Sequence, residues 1–344
     1  MEYLTLNRES RPLADSELRT FPIAYGCWRF AGTGVSEARA KVEAALDCGM
    51  NLFDHADIYG DGAAEDLFGR VLAESPSMRD RMLIATKGGI VKGLPYDSSK
   101  EHLIMAAEAS LRRLRIDVID LYQIHRPDPA ADIDETLGAL TDLVKAGKIC
   151  YAGSSTFPAS QIVAAQWTAQ RRGRERFVCE QPPYSILVRG VEAEVLPVCQ
   201  QYGMGVIPWS PLAGGWLTGR YRKGAEIPVS RRAQRIPQRF DLSLPGNQAK
   251  LEAAEQLAVL AQETGVSLIH LALAFVIRHP AVTSAIIGPR TMEQLESQLG
   301  AEEVTLEPAV LDRIDEIVPP GTNLNPPDGG YMPPALTTPA LRRR

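Results

Sequence analysis

The chain has 344 residues, a formal net charge of −5, 45% apolar residues and 23% charged residues. This length allows one large domain or two ordinary ones, and the composition is that of a globular protein with a sizeable core. The acidic balance argues against a nucleic-acid-binding surface, which usually needs a clustered excess of lysine and arginine.

Cysteine usage and the start of the chain indicate a compartment. The five cysteines are scattered and none forms a C-x-x-C pair, which is typical of proteins kept in a reducing environment. Residues Met1–Ser10 lack the basic start and apolar run of a secretory signal. No apolar stretch approaches the ~20 residues that span a bilayer. We therefore expect a cytoplasmic protein without a membrane segment.

Short apolar runs alternate with longer stretches of helical spacing along most of the chain. The predicted strands are Ile23–Cys27, Asn51–Asp54, Met82–Thr86, Val118–Ile124, Ile149–Gly153, Val178–Gln181, Gly205–Pro208 and Ser284–Ile287. The predicted helices are Glu37–Asp47, Ala64–Glu74, Lys100–Leu114, Ile133–Ala146, Ala159–Arg171, Val191–Tyr202, Gln248–His279 and Met292–Leu299. Eight strand–helix pairs favour a parallel (β/α)8 TIM barrel, an α/β fold, over an open doubly wound sheet.

Three segments lie outside the eight pairs. Leu4–Leu6 could form a short N-terminal hairpin with part of the segment that follows, and Pro308–Val318 predicts an extra C-terminal helix. From Pro319 onward proline, glycine and asparagine dominate, which predicts an extended or partly disordered tail. We therefore predict a single barrel domain over residues 1–318 and a tail over residues 319–344.

Gly219–Pro245 is a long connection without clear periodicity, and it is rich in arginine, with Arg220 and Arg231 among its basic residues. A loop of this length in a compact domain is more often a binding loop than filler. The two interpretations are a solvated basic loop and a flap over an anionic ligand, and the loop length favours the flap.

Four polar residues stand at or near the ends of consecutive predicted strands. Asp54 ends the second strand, Tyr59 lies in the loop after it, Lys87 follows the third strand, and His125 follows the fourth. In a barrel the C-terminal ends of the strands surround one mouth, where active sites form. We therefore expect these side chains to converge although they are far apart in sequence.

These residue types suit acid–base chemistry on a carbonyl group. Free tyrosine has a pKa near ~10, too high for efficient proton donation at neutral pH. The ammonium of Lys87 would stabilise tyrosinate and so lower the pKa of Tyr59, and Asp54 would supply the counter-charge that a buried Lys87 needs. His125 can donate a hydrogen bond to the substrate oxygen and align the carbonyl.

Each residue alone has a simpler explanation, because strand-end aspartates cap loops and single tyrosines, lysines and histidines usually pack or face solvent. Only the joint pattern points to a site. A metal-dependent hydrolase that uses His55, His125, Asp54 and Asp57 is a second alternative. Lys87 among these residues disfavours a cation, so we predict no metal site.

No G-x-G-x-x-G motif follows the first strand, so a Rossmann-type dinucleotide site is not indicated. Phosphate sites in barrels commonly use the loops after strands seven and eight, which here are Trp209–Gly215 and Gly288–Arg290. Small residues in these loops let backbone N–H groups approach a pyrophosphate, and Arg290 can grip a phosphate through two N–H groups. Tight turns alone would explain the glycines but not their positions.

Several stretches resemble the aldo-keto reductase superfamily, in the same order along the chain. Phe53–Gly60 is similar to the family's Asp…Tyr-Gly signature, Ala85–Lys87 to its lysine strand and Asp120–His125 to its histidine strand. The resemblance runs from roughly Tyr25 to Val318. It implies NADPH-dependent reduction of an aldehyde or ketone, a small-molecule carbonyl substrate, to an alcohol.

By the same resemblance Asp54, Tyr59, Lys87 and His125 match the catalytic tetrad, with Tyr59 as general acid. The cofactor-binding residues predicted from the two loops, the long connection and the resemblance are Ser154, Ser155, Gln181, Trp209, Ser210, Leu212, Gly214, Arg220, Arg231, Gly288, Arg290, Gln294 and Gln298. The family often has Asn where Ser155 stands and Glu-Asn where Ser297 and Gln298 stand. The missing carboxylate at Ser297 is expected to weaken the adenine contact.

The predicted walls of the substrate pocket are Trp28, Phe30, Tyr96 and the long connection, although Trp28 and Phe30 could equally serve packing. The stretch Glu180–Gly190 also resembles the potassium-channel beta subunits of the superfamily. This gives an alternative function, a cofactor-binding redox-sensing or regulatory subunit with slow turnover. The pattern indicates neither the physiological substrate nor the oligomeric state.

Overall fold

The computed structural model describes residues 10–94, 96–226 and 231–342, without the side chains of residues 231 and 232. The strands in chain order are β1 (Arg11–Pro12), β2 (Arg19–Thr20), β3 (Ile23–Gly26), β4 (Leu52–Asp54), β5 (Leu83–Gly88), β6 (Ile119–Ile124), β7 (Ile149–Ser154), β8 (Phe177–Glu180), β9 (Gly205–Val206) and β10 (Ala285–Ile287). Strands β3 to β9 pair in parallel with their neighbours in sequence, and β10 returns to pair with β3.

Backbone contacts close the barrel between β9 and β10. The N–H of Thr283 donates to Val206 O at 2.8 Å, and the N–H of Ile286 donates to Pro208 O at 2.9 Å. A parallel bridge also joins Trp209 to Ile286. The predicted (β/α)8 barrel is therefore confirmed, and each predicted barrel strand overlaps an observed one.

Helices cover the outside of the barrel. They are α1 (Val35–Asp47), α2 (Ala63–Glu74), α3 (Lys100–Leu114), α4 (Ile133–Lys145), α5 (Ala159–Arg172), α6 (Val195–Gln201), α7 (Arg231–Arg235), α8 (Pro245–Glu263), α9 (Leu268–Ile277), α10 (Met292–Glu296), α11 (Pro308–Ile317) and α12 (Pro334–Thr337). Their apolar faces form the core with the outer faces of the strands, and Leu137 and Leu140 of α4 are fully buried there. Each such leucine contributes about 1.5–3 kcal/mol through burial.

The helical stretch predicted as Gln248–His279 is two helices, α8 and α9, bent by 97°. Gly265 takes a φ of 70° just after α8, and the Ser267 hydroxyl accepts a hydrogen bond from His270 N at 3.1 Å at the start of α9. Glycine ends helices and serine begins them, so both signals stand in the sequence. No single helix in the described ranges is long and apolar enough to cross a membrane. Only this bent pair, taken together, has the length and composition of a span.

The predicted N-terminal hairpin is present and closes one end of the barrel. It is built by β1 and β2, in which Arg11 pairs with Thr20, whereas Leu4–Leu6 lies outside the described residues. Leu13, in the turn region, is fully buried in the cluster that fills the barrel interior, together with Leu121. This hairpin covers the end of the barrel at which the strands begin.

The C-terminal segment differs from the extended tail that its composition predicts. Thr322 O accepts a hydrogen bond from Arg189 N at 2.9 Å, and Asp328 accepts one from Lys250 Nζ at 2.7 Å. Residues Pro326–Gly329 form a 3-10 turn, and α12 follows. Proline-rich composition cannot reveal such tertiary contacts, which depend on the barrel surface that the segment meets.

Strand register brings the carboxyl ends of the strands to one mouth. Gly88 pairs with Ile124, Ile124 with Ser154, and Ser154 with Glu180, while Asp54 is the last residue of β4. The residues at or just after these positions therefore surround the same opening, at the end of the barrel opposite the hairpin.

Candidate active site

Three of the predicted residues form one chain of contacts at the mouth. Lys87 Nζ donates to Asp54 Oδ1 at 2.7 Å and lies 3.5 Å from the Tyr59 hydroxyl. It also donates to the backbone oxygen of His55 at 2.7 Å. Asp54 is the last residue of β4, Lys87 lies near the end of β5, and Tyr59 lies in the loop after β4. The structure thus brings these side chains together, as their positions in the sequence predict.

Lys87 keeps its charge although it is fully buried. Burial alone would lower the pKa of the Lys87 ammonium, but the attraction of Asp54 and Tyr59 outweighs it, so the pKa lies above its ordinary value. Asp54 is also almost fully buried, so the two charges are compensated inside the protein. The ammonium that faces Tyr59 is therefore permanent at neutral pH.

The pKa of Tyr59 corrects one expectation from the sequence. Burial raises the pKa of Tyr59 above its ordinary value, and this effect outweighs the opposing attraction of Lys87. The predicted lowering was wrong because it counted the neighbouring cation but not the loss of water around the hydroxyl. Tyr59 therefore holds its proton at neutral pH, and Lys87 limits the energy needed to release it.

His125 follows β6 and faces Tyr59 with its ring nearly perpendicular, at a centroid distance of 6.0 Å and an angle of 80°. Burial, with Arg126 and Lys87 nearby, holds the pKa of His125 well below its usual range. The imidazole is therefore neutral. A neutral imidazole has one N–H donor, which suits a hydrogen bond to a carbonyl oxygen.

Two side-chain amides extend the contacts of Asp54: the predicted Gln181 and Gln123, which was not predicted from the sequence. Gln181 Nε2 donates to Asp54 Oδ1 at 2.8 Å and to Gln123 Oε1 at 3.2 Å. Gln123 Nε2 in turn donates to the backbone oxygen of Ser154 at 3.2 Å. The sequence does carry a signal for Gln123, because it is a polar residue in an apolar strand. It stands two positions before His125, and residues two apart in a strand lie on the same face.

Hydrogen bonds fix the two predicted serines, one through a buried carboxyl group and one through a backbone carbonyl. Ser154 Oγ donates to Glu180 Oε2 at 2.5 Å, and Ser155 Oγ donates to Gln181 O at 2.9 Å. Burial raises the pKa of Glu180 to about 7, although these hydrogen bonds oppose the rise. When Glu180 is ionised, Ser154 donates to it and leaves its own lone pairs for an N–H donor in the mouth.

Trp209 and Arg126 form the next part of the rim. Trp209 is half-buried, its indole Nε1 lies 3.4 Å from Thr156 Oγ1, and the Arg126 guanidinium carbon lies 5.7 Å from its ring centroid. Gly330 of the C-terminal segment is close enough that a Cβ there would lie 2.9 Å from Trp209 Cζ2. The tail therefore reaches the rim of the site. Arg126 is not among the residues predicted from the sequence.

The loop after β9 has a backbone shaped for an anion. Ser210, Ala213, Gly214 and Gly215 all have positive φ angles, of 59°, 48°, 72° and 113°. Left-handed residues in succession turn backbone N–H groups toward one point and form anion-binding concavities. Ser210 and Ala213 adopt this conformation without being glycine, a strain that is typical of functional sites. Leu212, also a predicted contact, lies between them.

Three guanidinium groups gather at the same side of the mouth. Burial lowers the pKa of Arg29, and Arg290 and Arg220 lower it further by repulsion. None of the three forms an ion pair with a carboxylate in the part of the chain that the structure describes. We refer to Arg29, Arg220 and Arg290 as the arginine cluster. Arg29 was absent from the sequence predictions, because a single arginine after a strand has no distinguishing signal.

The loop Gly288–Arg290 is held firmly from outside. Lys41 Nζ donates to Arg290 O at 2.6 Å, the Tyr25 hydroxyl donates to Pro289 O at 3.2 Å, and Arg290 N donates to Gln294 Oε1 at 2.9 Å. The Gln294 side chain thus orders this loop. Gln298 is buried and donates to Gln294 O within its own turn.

Of the predicted pocket walls, Trp28 and Tyr96 are partly exposed, whereas Phe30 is buried. Trp28 is half-buried, and its ring centroid lies 6.3 Å from that of Tyr59, while Tyr96 lies 6.4 Å from Tyr331 of the C-terminal segment. Phe30 is buried against Tyr25, with centroids 5.5 Å apart, so the packing interpretation holds for Phe30. The long connection contains α7 and a 3-10 turn, and the Arg231 side chain lies outside the described part.

The residues considered for a metal site are not arranged as a set of ligands among the described residues. His55 is fully buried and packs edge-on against Phe68 at a centroid distance of 4.5 Å. Burial lowers the pKa of His55 to about 3. No group of three or more His, Cys, Asp or Glu side chains among the described residues is arranged to hold a metal ion.

The barrel and its site together define an oxidoreductase of the (β/α)8 type. The chain belongs to the aldo/keto reductase family, whose sequence profile matches residues 22–319. It is 38% identical over 311 aligned positions to a 6-dehydroglucose reductase of Novosphingobium aromaticivorans, with 88% of this chain and 92% of the relative covered.

Other relatives carry different names. An uncharacterised oxidoreductase of Bacillus subtilis, YrpG, is 35% identical over 335 positions, which cover 93% of this chain and 96% of the relative. A probable voltage-gated potassium channel subunit beta of Oryza sativa subsp. japonica is 34% identical over 336 positions, with 92% and 97% covered. Both the enzyme and the channel-subunit resemblances predicted from the sequence are therefore confirmed as similarities.

Proposed function

We propose that the protein reduces an aldehyde or ketone to an alcohol, with NADPH as hydride donor and Tyr59 as general acid. The observation that carries the proposal is the chain of contacts from Asp54 through Lys87 to Tyr59, beside the neutral ring of His125. It places a protonated phenol, a permanent cation and a neutral hydrogen-bond donor at one point. The relative named as a reductase supports the same reaction class.

The residues around the tetrad fit a nicotinamide cofactor. The buried Ser154 hydroxyl and Gln181 amide would hold the carboxamide, and Trp209 would lie against the ring. The loop of residues 210–215 and the arginine cluster would hold the phosphates. Several guanidinium groups without an ion-pair partner among the described residues suit the additional phosphate of NADPH better than NADH. When bound, the reduced nicotinamide supplies the hydride.

The protein's own residues then manage the proton. Tyr59 donates its hydroxyl proton to the carbonyl oxygen while the carbon receives the hydride, so that the product is a neutral alcohol. The Lys87 ammonium stabilises the tyrosinate that remains, and Asp54 keeps that ammonium charged. His125 donates an N–H to the same oxygen and holds the carbonyl in line.

Replacing the proton donor tests this directly. Tyr59→Phe is expected to lower the turnover number for simple aldehydes at least about 1000-fold, because the acid and its tyrosinate are both lost. Tyr151→Phe is the matched control, since its hydroxyl contacts Glu17 of the hairpin at the other end of the barrel. Steady-state NADPH oxidation and NADPH binding are measured for both variants. Turnover by Tyr59→Phe within about ten-fold of the wild type, with binding intact, would overturn the assignment.

The second candidate is a cofactor-binding redox-sensing or regulatory subunit with slow turnover. It is favoured by the relatives named as potassium channel beta subunits. The stretch Glu180–Gly190, which carries that resemblance in the sequence, has a structural role: Arg189 is buried and pairs with Glu192 and Asp315. A steady-state rate below about one turnover per second on every aldehyde tried would favour this candidate over an ordinary enzyme.

We further propose a cytoplasmic location for the reaction. All five cysteines are free thiols, and Cys27, Cys179 and Cys199 are buried. Localisation of a tagged full-length chain by fractionation tests this, and recovery in the membrane pellet would contradict it.

A further inference from the structure

Arg126 stands beside the tetrad, yet the chemistry proposed above does not use it. It follows His125 directly, and its Nη1 donates to the backbone oxygen of His125 at 2.5 Å and to Ser155 Oγ at 3.3 Å. Its guanidinium carbon lies 5.7 Å from the ring centroid of Trp209. The side chain is half-buried and is held in place by one carbonyl, one hydroxyl and one indole.

The charge of Arg126 has no ion-pair partner among the residues that the structure describes. Within the described ranges no carboxylate lies at ion-pair distance from it, whereas other half-buried arginines are matched: Arg113 with Glu65 and Arg222 with Glu255. Glu180 attracts Arg126 electrostatically, but its oxygens accept hydrogen bonds from Ser154 Oγ and Phe157 N.

A partly buried cation without a counter-charge is costly unless a ligand supplies one. Burial lowers the pKa of Arg126, which is the direction expected for a cation short of solvation. Only Nη1 hydrogen-bonds within the described part of the chain, so Nε and Nη2 make no hydrogen bond there. This edge of a guanidinium matches the two oxygens of a carboxylate.

A second guanidinium near Tyr59 adds to the positive charge. The Arg235 guanidinium carbon lies 5.5 Å from the ring centroid of Trp28, and the Trp28 ring lies 6.3 Å from that of Tyr59. Arg235 also has no ion-pair partner among the residues described. Arg126 acts electrostatically on Tyr59, and Arg235 lies on a ring that neighbours Tyr59, so positive charge surrounds the proton donor and favours an anionic substrate over a neutral one.

We propose that Arg126 selects the substrate by binding its carboxylate, so that the preferred substrate is an aldehyde or ketone that also carries a carboxylate group. The inference rests on the proposed reductase function and names its substrate class. Arg126 acts here as a specificity-determining residue, while Tyr59 and His125 act on the carbonyl.

The test uses a substrate pair that differs only in charge: para-formylbenzoate and its methyl ester. For the wild type we expect kcat/KM to be at least about ten-fold higher for the acid. Arg126→Gln keeps hydrogen-bonding capacity without charge, and it should lower kcat/KM for the acid about 10- to 100-fold while changing that for the ester less than about three-fold. Arg171→Gln is the control, because Arg171 is exposed and stacks on Trp167 outside the site.

Binding of both compounds to the protein saturated with NADP+ is measured in parallel by quenching of tryptophan fluorescence. A wild-type ratio near one would overturn the proposal, and so would a preference for the acid that survives Arg126→Gln. If neither compound is reduced but the acid still binds better and loses that advantage in Arg126→Gln, the anion site stands and the reductase function fails. Unchanged thermal stability and an unchanged far-ultraviolet circular dichroism spectrum confirm that Arg126→Gln is folded.

Discussion

The two halves of the mouth differ in how their charges are balanced. In the half built by β4, β5 and β8, Lys87 and Asp54 are buried, paired and backed by Gln181. In the other half, the arginine cluster has no carboxylate partner among the described residues, and Arg29 is repelled by Arg290 and Arg220. The charges of the first half are therefore balanced among the described residues, whereas those of the arginine half are not.

The largest effect is expected when the cation of the balanced half, Lys87, is removed. Lys87→Met should lower turnover at least about 1000-fold, because tyrosinate loses its stabilising charge. It should also lower the free energy of unfolding by about 3–5 kcal/mol, since Asp54 is left buried and unpaired. Steady-state kinetics and urea denaturation measure the two effects.

A double variant separates them. Lys87→Met combined with Asp54→Asn should recover most of the lost stability, because no unpaired charge remains, but none of the activity. If the double variant is as unstable as the single one, the buried ion pair is not the source of the stability difference.

Glu180 gives the next largest effect, as a dependence of stability on pH. Its pKa is raised from an ordinary 4.5 to about 7 in the folded protein, so the folded state holds a proton that the unfolded state releases. For this group alone, the free energy of unfolding should be highest below about pH 4.5 and should fall by roughly 3 kcal/mol as the pH rises from about 4.5 to about 7. Glu180→Gln should flatten this part of the curve.

Denaturation at about pH 5 and about pH 8 checks the effect. Asp57, whose pKa burial also raises to about 7, should supply a remaining slope of the same sign in the variant. An identical difference between the two pH values in the wild type and Glu180→Gln would contradict the assignment to Glu180.

A change in the arginine half should have the smallest effect on folding and a selective effect on binding. Arg29→Gln should weaken NADPH binding about 10- to 100-fold, since a charge-assisted contact to a phosphate is lost. The free energy of unfolding of the unliganded protein should stay the same or rise slightly, because repulsion within the arginine cluster is relieved. A marked loss of stability in Arg29→Gln would show that the two halves do not differ as described.

The sequence predicts the barrel and the four residues of the tetrad because both follow from the pattern of apolar runs along the chain. Apolar runs end in Asp54, Lys87 and His125, and the carboxyl ends of parallel strands must meet at one mouth. The break between α8 and α9 was missed although Gly265 and Ser267 carry its signals, because the apolar spacing continues on both sides of it.

The remaining features depend on tertiary geometry. The contact of Gln123 with Gln181 follows from the register of neighbouring strands, including the irregularity in the pairing of β7 with β8. Arg29 and Arg126 each look like a solvated charge after a strand, and they are distinguished only by the lack of an ion-pair partner among the described residues. The direction of the Tyr59 pKa depends on the amount of water removed, which no spacing in the sequence expresses.

The central claim is that one mouth of the barrel binds NADPH and carries out the reduction. Its most direct test is a fluorescence titration of the purified protein with NADPH and with NADH. We predict that NADPH binds with micromolar affinity, at least about ten-fold more tightly than NADH, because the arginine cluster recognises the additional phosphate. No binding of either cofactor, or equal affinity for both, would contradict this account of the mouth.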